Sequence, residues 1–396
     1  MNSLTAIKYV TEGLIVCIVL AFVLLLVLRP KPASKKALAQ KGILSPEHEL
    51  YAPYKREDQY GLLGAEPQLM LEYARLAVLG VTLVPLKFMG AFLSVLTVNL
   101  MCRVALLLPG RELQAHVIAG VGKILCRFCL LCNGFMDVKW IIDRPNELPK
   151  GVEPAVIVSN HVSYMDILVH MEHSFPSFVA RGNTRDMPLL GLISKHLQCI
   201  YVDRDFKKGD VTGVSGQVKD RVEQAAAGKL ESITRPLLLF PEGTTSNGKY
   251  MLPFKTGAFL AGAPVQPVIL KYGPDRISPA WDSVTALWHV FLLLANPFHS
   301  VTARQLPIYY PSEEEKKDAK LYAANVRELL LREGGMKPSE STLADCRAYI
   351  SMLQGKQPGP KSQAYKALHP AESNGVVPEG EHGTRKGVPS GVKKEA

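Results

Sequence analysis

The chain has 396 residues, of which 47% are apolar, and its formal net charge at pH 7 is +10. This length allows one sizeable domain with appendages, and the uneven spread of apolar residues disfavours a uniform soluble protein. The positive charge comes without a basic stripe interleaved with aromatic residues and without zinc-finger spacing, so nucleic acid is not expected as a partner. An anionic membrane surface or phosphate-bearing substrates account for the charge better.

The first predicted element is an apolar helix near the N-terminus, at residues 9–28. A helix of about 20 apolar residues spans a bilayer. The run ends in Arg29-Pro30-Lys31 rather than in the small residues of a cleavage site, so we expect a retained transmembrane anchor within residues 1–40 instead of a cleaved signal peptide. The basic residues that follow place the downstream side in the cytosol.

Two further apolar segments predict membrane-associated helices within residues 41–149. Residues 76–108 contain Pro85 and Lys87, which we expect to divide this segment into a hairpin that dips into the bilayer or into two packed helices. Residues 115–132 are predicted to form another apolar helix.

The chain contains seven cysteines, an odd and scattered set that does not indicate a disulfide framework. Cys126, Cys129 and Cys132 have a spacing that resembles a metal site, but no fourth ligand stands nearby in the sequence. We interpret them as buried or membrane-facing thiols, and no metal is expected.

From about residue 150 the pattern changes to short runs rich in β-branched residues that alternate with helical stretches. The runs predict strands at residues 156–158, 178–180, 199–202, 237–240 and 265–270. Valines at positions 211, 214, 218 and 222 recur at the spacing of one helix face. This alternation predicts an α/β domain over residues 150–335, with a mixed, largely parallel sheet flanked by helices.

Helices are also predicted towards the C-terminus. Residues 284–295 are mostly apolar and suit either a core helix or one that dips into the membrane. Ser312 and Glu315 form a capping box that opens a helix running towards Leu331 and ending at Gly334-Gly335. We expect a C-terminal helix at residues 336–354 and a disordered basic tail, rich in Gly and Pro, at residues 355–396.

A histidine and an aspartate follow the first predicted strand. His161 and Asp166 have the form H-x4-D, with His161 in the strand-to-helix turn and Asp166 in the first turn of the next helix. Residues five apart on one helix diverge by roughly 140°, whereas a histidine just outside the helix can converge with the aspartate. A carboxylate on one ring nitrogen leaves the other to take a proton from a hydroxyl group. The alternative is a histidine that only caps the helix.

Three more polar features follow predicted strands. Arg204 is a candidate for clamping a phosphate group, with a salt bridge to a neighbouring aspartate as the alternative. Glu242, Gly243 and Thr244 form either a site turn or an ordinary polar turn, and Lys255 is either a second phosphate contact or a solvated lysine. Because sites in open α/β sheets gather at the carboxyl ends of strands, we expect all these residues in one crevice.

These motifs resemble those of a known family, the glycerolipid acyltransferases. The four motifs stand in the family's order: Asn160-His161-x4-Asp166, Val202-Asp203-Arg204, Phe240-Pro241-Glu242-Gly243-Thr244 and Pro264-Val265-Gln266-Pro267-Val268. The resemblance covers about residues 150–310 and looks closest to the lysophosphatidylcholine and lysophosphatidylethanolamine acyltransferases. It implies an acyl-CoA-dependent O-acyltransferase that moves a fatty acyl group from acyl-CoA to the free hydroxyl of a lysophospholipid, without an acyl-enzyme.

The resemblance also implies roles for the candidate residues. His161 is the general base, Asp166 orients it, and Arg204 and Lys255 hold phosphate groups. The turn at Glu242, Gly243 and Thr244 shapes the acceptor site, and acyl-CoA is a co-substrate with no further cofactor.

Two positions depart from the pattern of the family. Many phosphatidate-forming members have Arg where this chain has Thr245, and one cation fewer favours a zwitterionic diester headgroup. Arg181-Gly182 stands where the family has Lys-Glu, so the role of that segment is left open.

Two other activities remain as alternatives: that of a 1-acylglycerol-3-phosphate or glycerol-3-phosphate acyltransferase, and that of a CoA-independent lipid transacylase. A non-enzymatic membrane scaffold is disfavoured. Lys393-Lys394 resembles the dilysine signal of endoplasmic reticulum membrane proteins, with a solvated basic end as the alternative. We therefore expect an integral membrane protein of phospholipid biosynthesis, with a cytosol-facing catalytic domain and with acyl-CoA, a lysophospholipid and the lipid bilayer as partners. Headgroup and acyl-chain preference, the acylated position, the number of full membrane crossings with the resulting sidedness, and the oligomeric state are left open.

Overall fold

The computed structural model describes residues 3–31, 48–64, 70–143, 155–202, 214–226, 235–273, 276–281, 283–356 and 359–368. Lys393-Lys394 and residues 369–396 of the predicted tail lie outside these ranges.

Three long helices stand at the N-terminal side of the chain. They are α1 (Ser3–Leu28), α2 (Met70–Ala105) and α3 (Arg111–Cys132). All three are long and apolar enough to cross a membrane. Only 6% of the most apolar part of α1 is buried inside the protein. A helix with so much exposed apolar surface is suited to a lipid environment.

The expectation that Pro85 and Lys87 divide the second apolar segment is wrong, because α2 runs through both residues. A proline removes one helix hydrogen bond, and apolar helices that pack against neighbours tolerate this loss. The Nζ of Lys87 donates to the backbone oxygen of Asn296 at 2.6 Å. Asn296 follows α7 (Ala286–Ala295), and the carbonyl end of a helix favours a cation. The charge that was expected to break the helix therefore finds a buried partner.

In the part of the chain that the structure describes, seven strands form one mixed sheet in the order β1-β8-β7-β2-β5-β3-β4. They are β1 (Phe135–Ile142), β2 (Val156–Ser159), β3 (Ser177–Arg181), β4 (Ile200–Val202), β5 (Leu237–Leu239), β7 (Val265–Tyr272) and β8 (His299–Gln305). A separate pair joins β6 (Tyr250–Met251) to β9 (Lys337–Pro338). Within the large sheet all neighbours run parallel except β7 and β8. The prediction of a mixed, largely parallel sheet is confirmed.

The sheet begins earlier in the chain than the predicted boundary at residue 150. Strand β1 pairs with β8 at the edge of the sheet, with Phe135 opposite His299. Most of the eight side chains of β1 are not buried, so its sequence lacks the apolar run by which the other strands were predicted. Residues 135–142 therefore belong with the α/β fold rather than with the membrane-associated segment at 41–149.

Helices cover both faces of the sheet. The shorter ones are α4 (Met165–His173), α5 (Leu190–His196), α6 (Val214–Ala226), α8 (Glu313–Lys317), α9 (Ala319–Gly334), α10 (Leu343–Leu353) and α11 (Gln363–Leu368). On one face α6 and α9 lie in a core where Val326 and Val158 are buried. On the other face α3, α4 and α7 contribute to a core that contains Val169, Leu293 and Val268. Strand β2 is thus buried in the middle of the fold.

The C-terminal helices differ in detail from their prediction. Ser312 and Glu315 form the predicted capping box, but the helix expected to run on to Leu331 is two helices, α8 and α9. Asp318 separates them because its side chain accepts hydrogen bonds from the first N–H groups of α9. Helix α11 lies within the predicted disordered tail, where the backbone N–H of Gln363 donates to Asp345 of α10 at 2.7 Å. This bond docks the start of the tail on the folded body.

Candidate active site

The candidate site lies where β2 and β5 end. These strands are parallel neighbours, with Val158 opposite Leu239, so the loops that follow them begin side by side. The imidazole of His161 consequently stacks on the ring of Phe240, with centroids 4.1 Å apart and planes at 13°. The His161 side chain remains 20% exposed. The stack fixes the plane of the imidazole while leaving an edge accessible.

His161 and Asp166 converge as their spacing predicted. The Nδ1 of His161 lies 2.8 Å from Oδ2 of Asp166, which is fully buried in the first turn of α4. The N-cap position of α4 belongs to Tyr164, so the bond of His161 to Asp166 is not a helix cap. With Nδ1–H donating to the carboxylate, Nε2 is the nitrogen that carries the lone pair.

The carboxylate of Asp166 is surrounded by hydrogen-bond donors. Oδ2 accepts from the backbone N–H groups of Val162 at 2.7 Å and Ser163 at 3.0 Å. The hydroxyl of Tyr272, at the end of β7, donates to Oδ1. These donors fix the orientation of the carboxyl group, with Oδ2 towards the imidazole and Oδ1 towards Tyr272.

Glu242 ties the His161 loop to the β6 strand. Its side chain is 3% exposed and accepts the backbone N–H of His161 at 2.8 Å and that of Leu252 at 2.9 Å. Burial raises the pKa of Glu242 to about 8, although the two backbone N–H groups lower it. Because both carboxylate oxygens are bonded to backbone, Glu242 acts on the site by holding the backbone of His161.

Gly243 and Lys255 lie together beside this bridge. Gly243 has a backbone φ of 72°, a value that residues other than glycine rarely adopt. A Cβ atom at this position would collide with the end of the Lys255 side chain. The backbone N–H of Lys255 donates to Pro241 at 2.9 Å, while its side chain is exposed. Gly243 itself donates its N–H to Phe240 at 3.0 Å. Thr244 follows, half-buried.

One predicted site residue lies outside the residues that the structure describes. Arg204 follows β4 in a part of the chain that the structure does not describe, so its phosphate contact stays a prediction. The same holds for the side chain of Arg181. Within the described ranges, no three His, Cys, Asp or Glu side chains stand together as metal ligands.

An apolar cavity of about 500 Å³ lies against α4. Its walls come from α2, α3, α4, β3 and α5, and two of these helices are candidate membrane spans. Tyr164 and Ile167, two residues before and one residue after Asp166 in the sequence, line it. The cavity could not be predicted from spacing because its walls come from several elements that are separate in the sequence.

Sequence reasoning also missed two contacts of the dyad. Phe240 belongs to one of the four sequence motifs, but its stacking on His161 follows only from the pairing of β2 with β5. Tyr272 stands two residues beyond the predicted strand at 265–270, and the rule that sites gather at strand ends was a signal for it.

Comparison with known proteins identifies the family of the chain. Residues 142–271 match the family described as Acyltransferase. Over 351 residues the chain is 43% identical to the lysophospholipid acyltransferase LPEAT1 of Arabidopsis thaliana, covering 77% of this chain and 87% of that protein. The chain belongs to the glycerolipid acyltransferase family. This confirms the resemblance seen in the four motifs, and the protein is an acyltransferase.

This acyltransferase also resembles animal proteins over part of their length. It is 30% identical to the lysophosphatidylcholine acyltransferase of Drosophila melanogaster over 69% of this chain and 52% of that one. It is 30% identical to lysophosphatidylcholine acyltransferase 1 of Homo sapiens over 83% of this chain and 60% of that one. The chain thus spans less than two thirds of these animal relatives. The crystal structure of the 1-acyl-sn-glycerophosphate acyltransferase PlsC from Thermotoga maritima, 16% identical, superposes with a TM-score of 0.48 over 66% of this chain and 96% of that chain.

Proposed function

We propose that this acyltransferase moves a fatty acyl group from acyl-CoA to the free hydroxyl of a lysophospholipid, with lysophosphatidylcholine or lysophosphatidylethanolamine favoured. The observation that carries the proposal is the 2.8 Å bond between His161 and a fully buried Asp166. This bond leaves Nε2 of a partly exposed imidazole as a proton acceptor. The 43% identity to a lysophospholipid acyltransferase supports the class of acceptor.

In the proposed reaction, Nε2 of His161 takes the proton from the glycerol hydroxyl as its oxygen attacks the thioester carbonyl carbon. A carbon–oxygen bond forms, the carbon–sulfur bond breaks, and the imidazolium returns the proton to the leaving thiolate of CoA. Asp166 balances the charge of the imidazolium while it exists. The stacking of His161 on Phe240 limits ring rotation, so less freedom is lost when the hydroxyl binds.

The polar end of the substrates is proposed to meet the loop after β5. The exposed side chain of Lys255 lies over Gly243 and is suited to a phosphate oxygen, and Arg204 is the second proposed phosphate contact. Thr245 stands in this loop where phosphatidate-forming members have Arg, so the acceptor phosphate meets less positive charge. A zwitterionic diester headgroup needs less charge than a phosphomonoester, which favours lysophosphatidylcholine or lysophosphatidylethanolamine.

The acyl chain is proposed to occupy the cavity of about 500 Å³ against α4. Its walls are almost wholly apolar, and burying a methylene group there contributes about 0.8 kcal/mol. Because α2 and α3 form part of the wall, a chain could enter from the bilayer without crossing water. We further propose that the catalytic domain faces the cytosol, from the basic residues after α1, with the endoplasmic reticulum as the location.

A panel of acceptors tests this function and its alternatives. Purified protein in lipid nanodiscs is given labelled oleoyl-CoA with lysophosphatidylcholine, lysophosphatidylethanolamine, lysophosphatidic acid or glycerol-3-phosphate, and both acyl transfer and free CoA thiol are measured. We expect transfer to the first two acceptors with equimolar release of CoA. Preference for the last two would instead establish a phosphatidate-forming enzyme. Transfer between lipids without CoA release would establish a transacylase.

A further inference from the structure

Tyr272 reaches the aspartate of the dyad from a different strand. Its hydroxyl donates to Oδ1 of Asp166, whereas His161 and two backbone N–H groups all bind Oδ2. Within the part of the chain that the structure describes, Tyr272 is the one hydrogen-bond partner of Oδ1. The two oxygens of this buried carboxylate therefore have separate sets of donors.

The fold holds Tyr272 in this position through several contacts. Strand β7 runs beside β2, with Val268 opposite Ser159. The side chain of Asn160 clamps the two segments, because its amide oxygen accepts the N–H of Leu270 at 2.8 Å and its amide nitrogen donates to the Leu270 carbonyl at 3.0 Å. The Tyr272 ring packs edge-on against Phe135 of β1 at 5.9 Å. The hydroxyl of Tyr272 is thus placed by ring packing and by Asn160, the residue before His161, whose side chain holds the backbone of β7.

We propose that Tyr272 is a positioning residue that fixes the carboxylate of Asp166 and, through it, the imidazole of His161. The proposal rests on the proposed function of the dyad. Without the hydroxyl, Oδ1 would be a buried, charged oxygen without its donor, and the carboxylate could turn about the Cβ–Cγ bond. A turned carboxylate would no longer accept the hydrogen bond from Nδ1–H of His161. The imidazole would then not hold its Nε2 lone pair towards the hydroxyl group of the substrate.

The titratable groups around the dyad come from two elements of the described chain. His170 on α4 and Glu242 after β5 interact electrostatically with Asp166, and Tyr164, before α4, interacts with Tyr272. Burial lowers the pKa of His170 to about 4 and raises that of Glu242 to about 8. Burial also raises the pKa of Tyr272 well above its usual value, so its hydroxyl keeps the proton that it donates.

The test compares Tyr272→Phe with Tyr309→Phe, which removes the same hydroxyl group from a bond to Glu315 of α8, 2.6 Å long and outside the site. Both variants are assayed for transfer from oleoyl-CoA to lysophosphatidylcholine between about pH 5.5 and 7.5, below the pKa of Glu242 at about 8. For Tyr272→Phe we expect kcat to fall about tenfold, the size of one hydrogen bond to a charged group, with little change in KM.

The pH profile separates positioning from a loss of folding. Without the hydroxyl, a carboxylate that has turned away from Nδ1 stabilises the imidazolium less, so the acidic limb of kcat/KM should move to lower pH by roughly half a pH unit. Tyr309→Phe should keep both the wild-type kcat and the wild-type profile. If the wild type is active and Tyr272→Phe has the same kcat and pH profile, the positioning role alone is overturned. An equal loss of kcat in Tyr272→Phe and Tyr309→Phe would overturn it as well. A wild type that transfers no acyl group would overturn the proposed function as well.

Discussion

Replacing Glu242 by Gln is expected to change how the thermal stability of the protein depends on pH. The carboxyl group is 3% exposed, and burial raises its pKa from 4.5 to about 8. Each pKa unit corresponds to about 1.36 kcal/mol. Ionising Glu242 therefore costs on the order of 5 kcal/mol more in the folded protein than in the unfolded chain.

The direction follows from the raised pKa. The stabilisation by protonated Glu242 is complete below the unfolded value of 4.5 and is lost as the pH rises towards about 8. Glutamine does not titrate, but its single oxygen cannot serve both His161 N–H and Leu252 N–H, which costs about 1–3 kcal/mol. We expect the melting temperature of the wild type to exceed that of Glu242→Gln near pH 5, and the gap to narrow or reverse near pH 8.

Glu315→Gln is the matched control. Glu315 is also buried, at 4% exposure, but its pKa is lowered, because hydrogen bonds from Tyr309, Ser312 and Asn325 outweigh the burial that raises it. Its stabilisation is present above the unfolded value of 4.5 and is lost as the pH falls below it. Thermal unfolding in detergent, followed by intrinsic fluorescence, should therefore give a constant gap for this variant between about pH 5 and 8. A constant gap for Glu242→Gln over the same range would refute the reasoning.

Three further substitutions probe the substrate sites. Gly243→Ala places a Cβ at φ 72° against Lys255; it should destabilise the protein by about 1–2 kcal/mol and raise KM for acyl-CoA, and an unchanged KM would separate Lys255 from the substrate. Ala180→Phe fills part of the apolar cavity and should lower turnover of long acyl-CoA more than that of medium-chain acyl-CoA; equal losses would exclude the cavity as the acyl site. Thr245→Arg should raise the ratio of lysophosphatidic acid to lysophosphatidylcholine acylation in a competition assay, and an unchanged ratio would contradict the headgroup argument.

The central part of the fold and the dyad were predictable because their signals are local. The strands β2, β5 and β7 are nearly all buried, and their mostly apolar sequences are typical of central strands in a largely parallel sheet. His161 and Asp166 are separated by four residues across one strand-to-helix turn, and their meeting needs only that turn. Parallel pairing of β2 with β5 then brings Glu242 to the backbone of His161.

The features that escaped prediction depend on distant partners. Tyr272 is 106 positions away from Asp166, and only the order of the strands brings them together. Lys87 was expected to break a helix because its buried partner, the carbonyl of Asn296, stands 209 positions further along the chain. Strand β1 was missed because it is a partly exposed edge strand whose one neighbour is β8. In each case the sequence near the residue does not identify the partner.

His161→Ala tests most directly whether one imidazole carries out the proton transfer. The variant and a control, His116→Ala on the exposed side of α3, are compared with the wild type for melting temperature, acyl-CoA binding and acylation of lysophosphatidylcholine. We predict that His161→Ala folds and binds acyl-CoA but turns over about 10²–10⁴ times more slowly, whereas His116→Ala keeps wild-type turnover. A folded His161→Ala protein that binds acyl-CoA and transfers it at the wild-type rate would contradict the proposed role of the dyad.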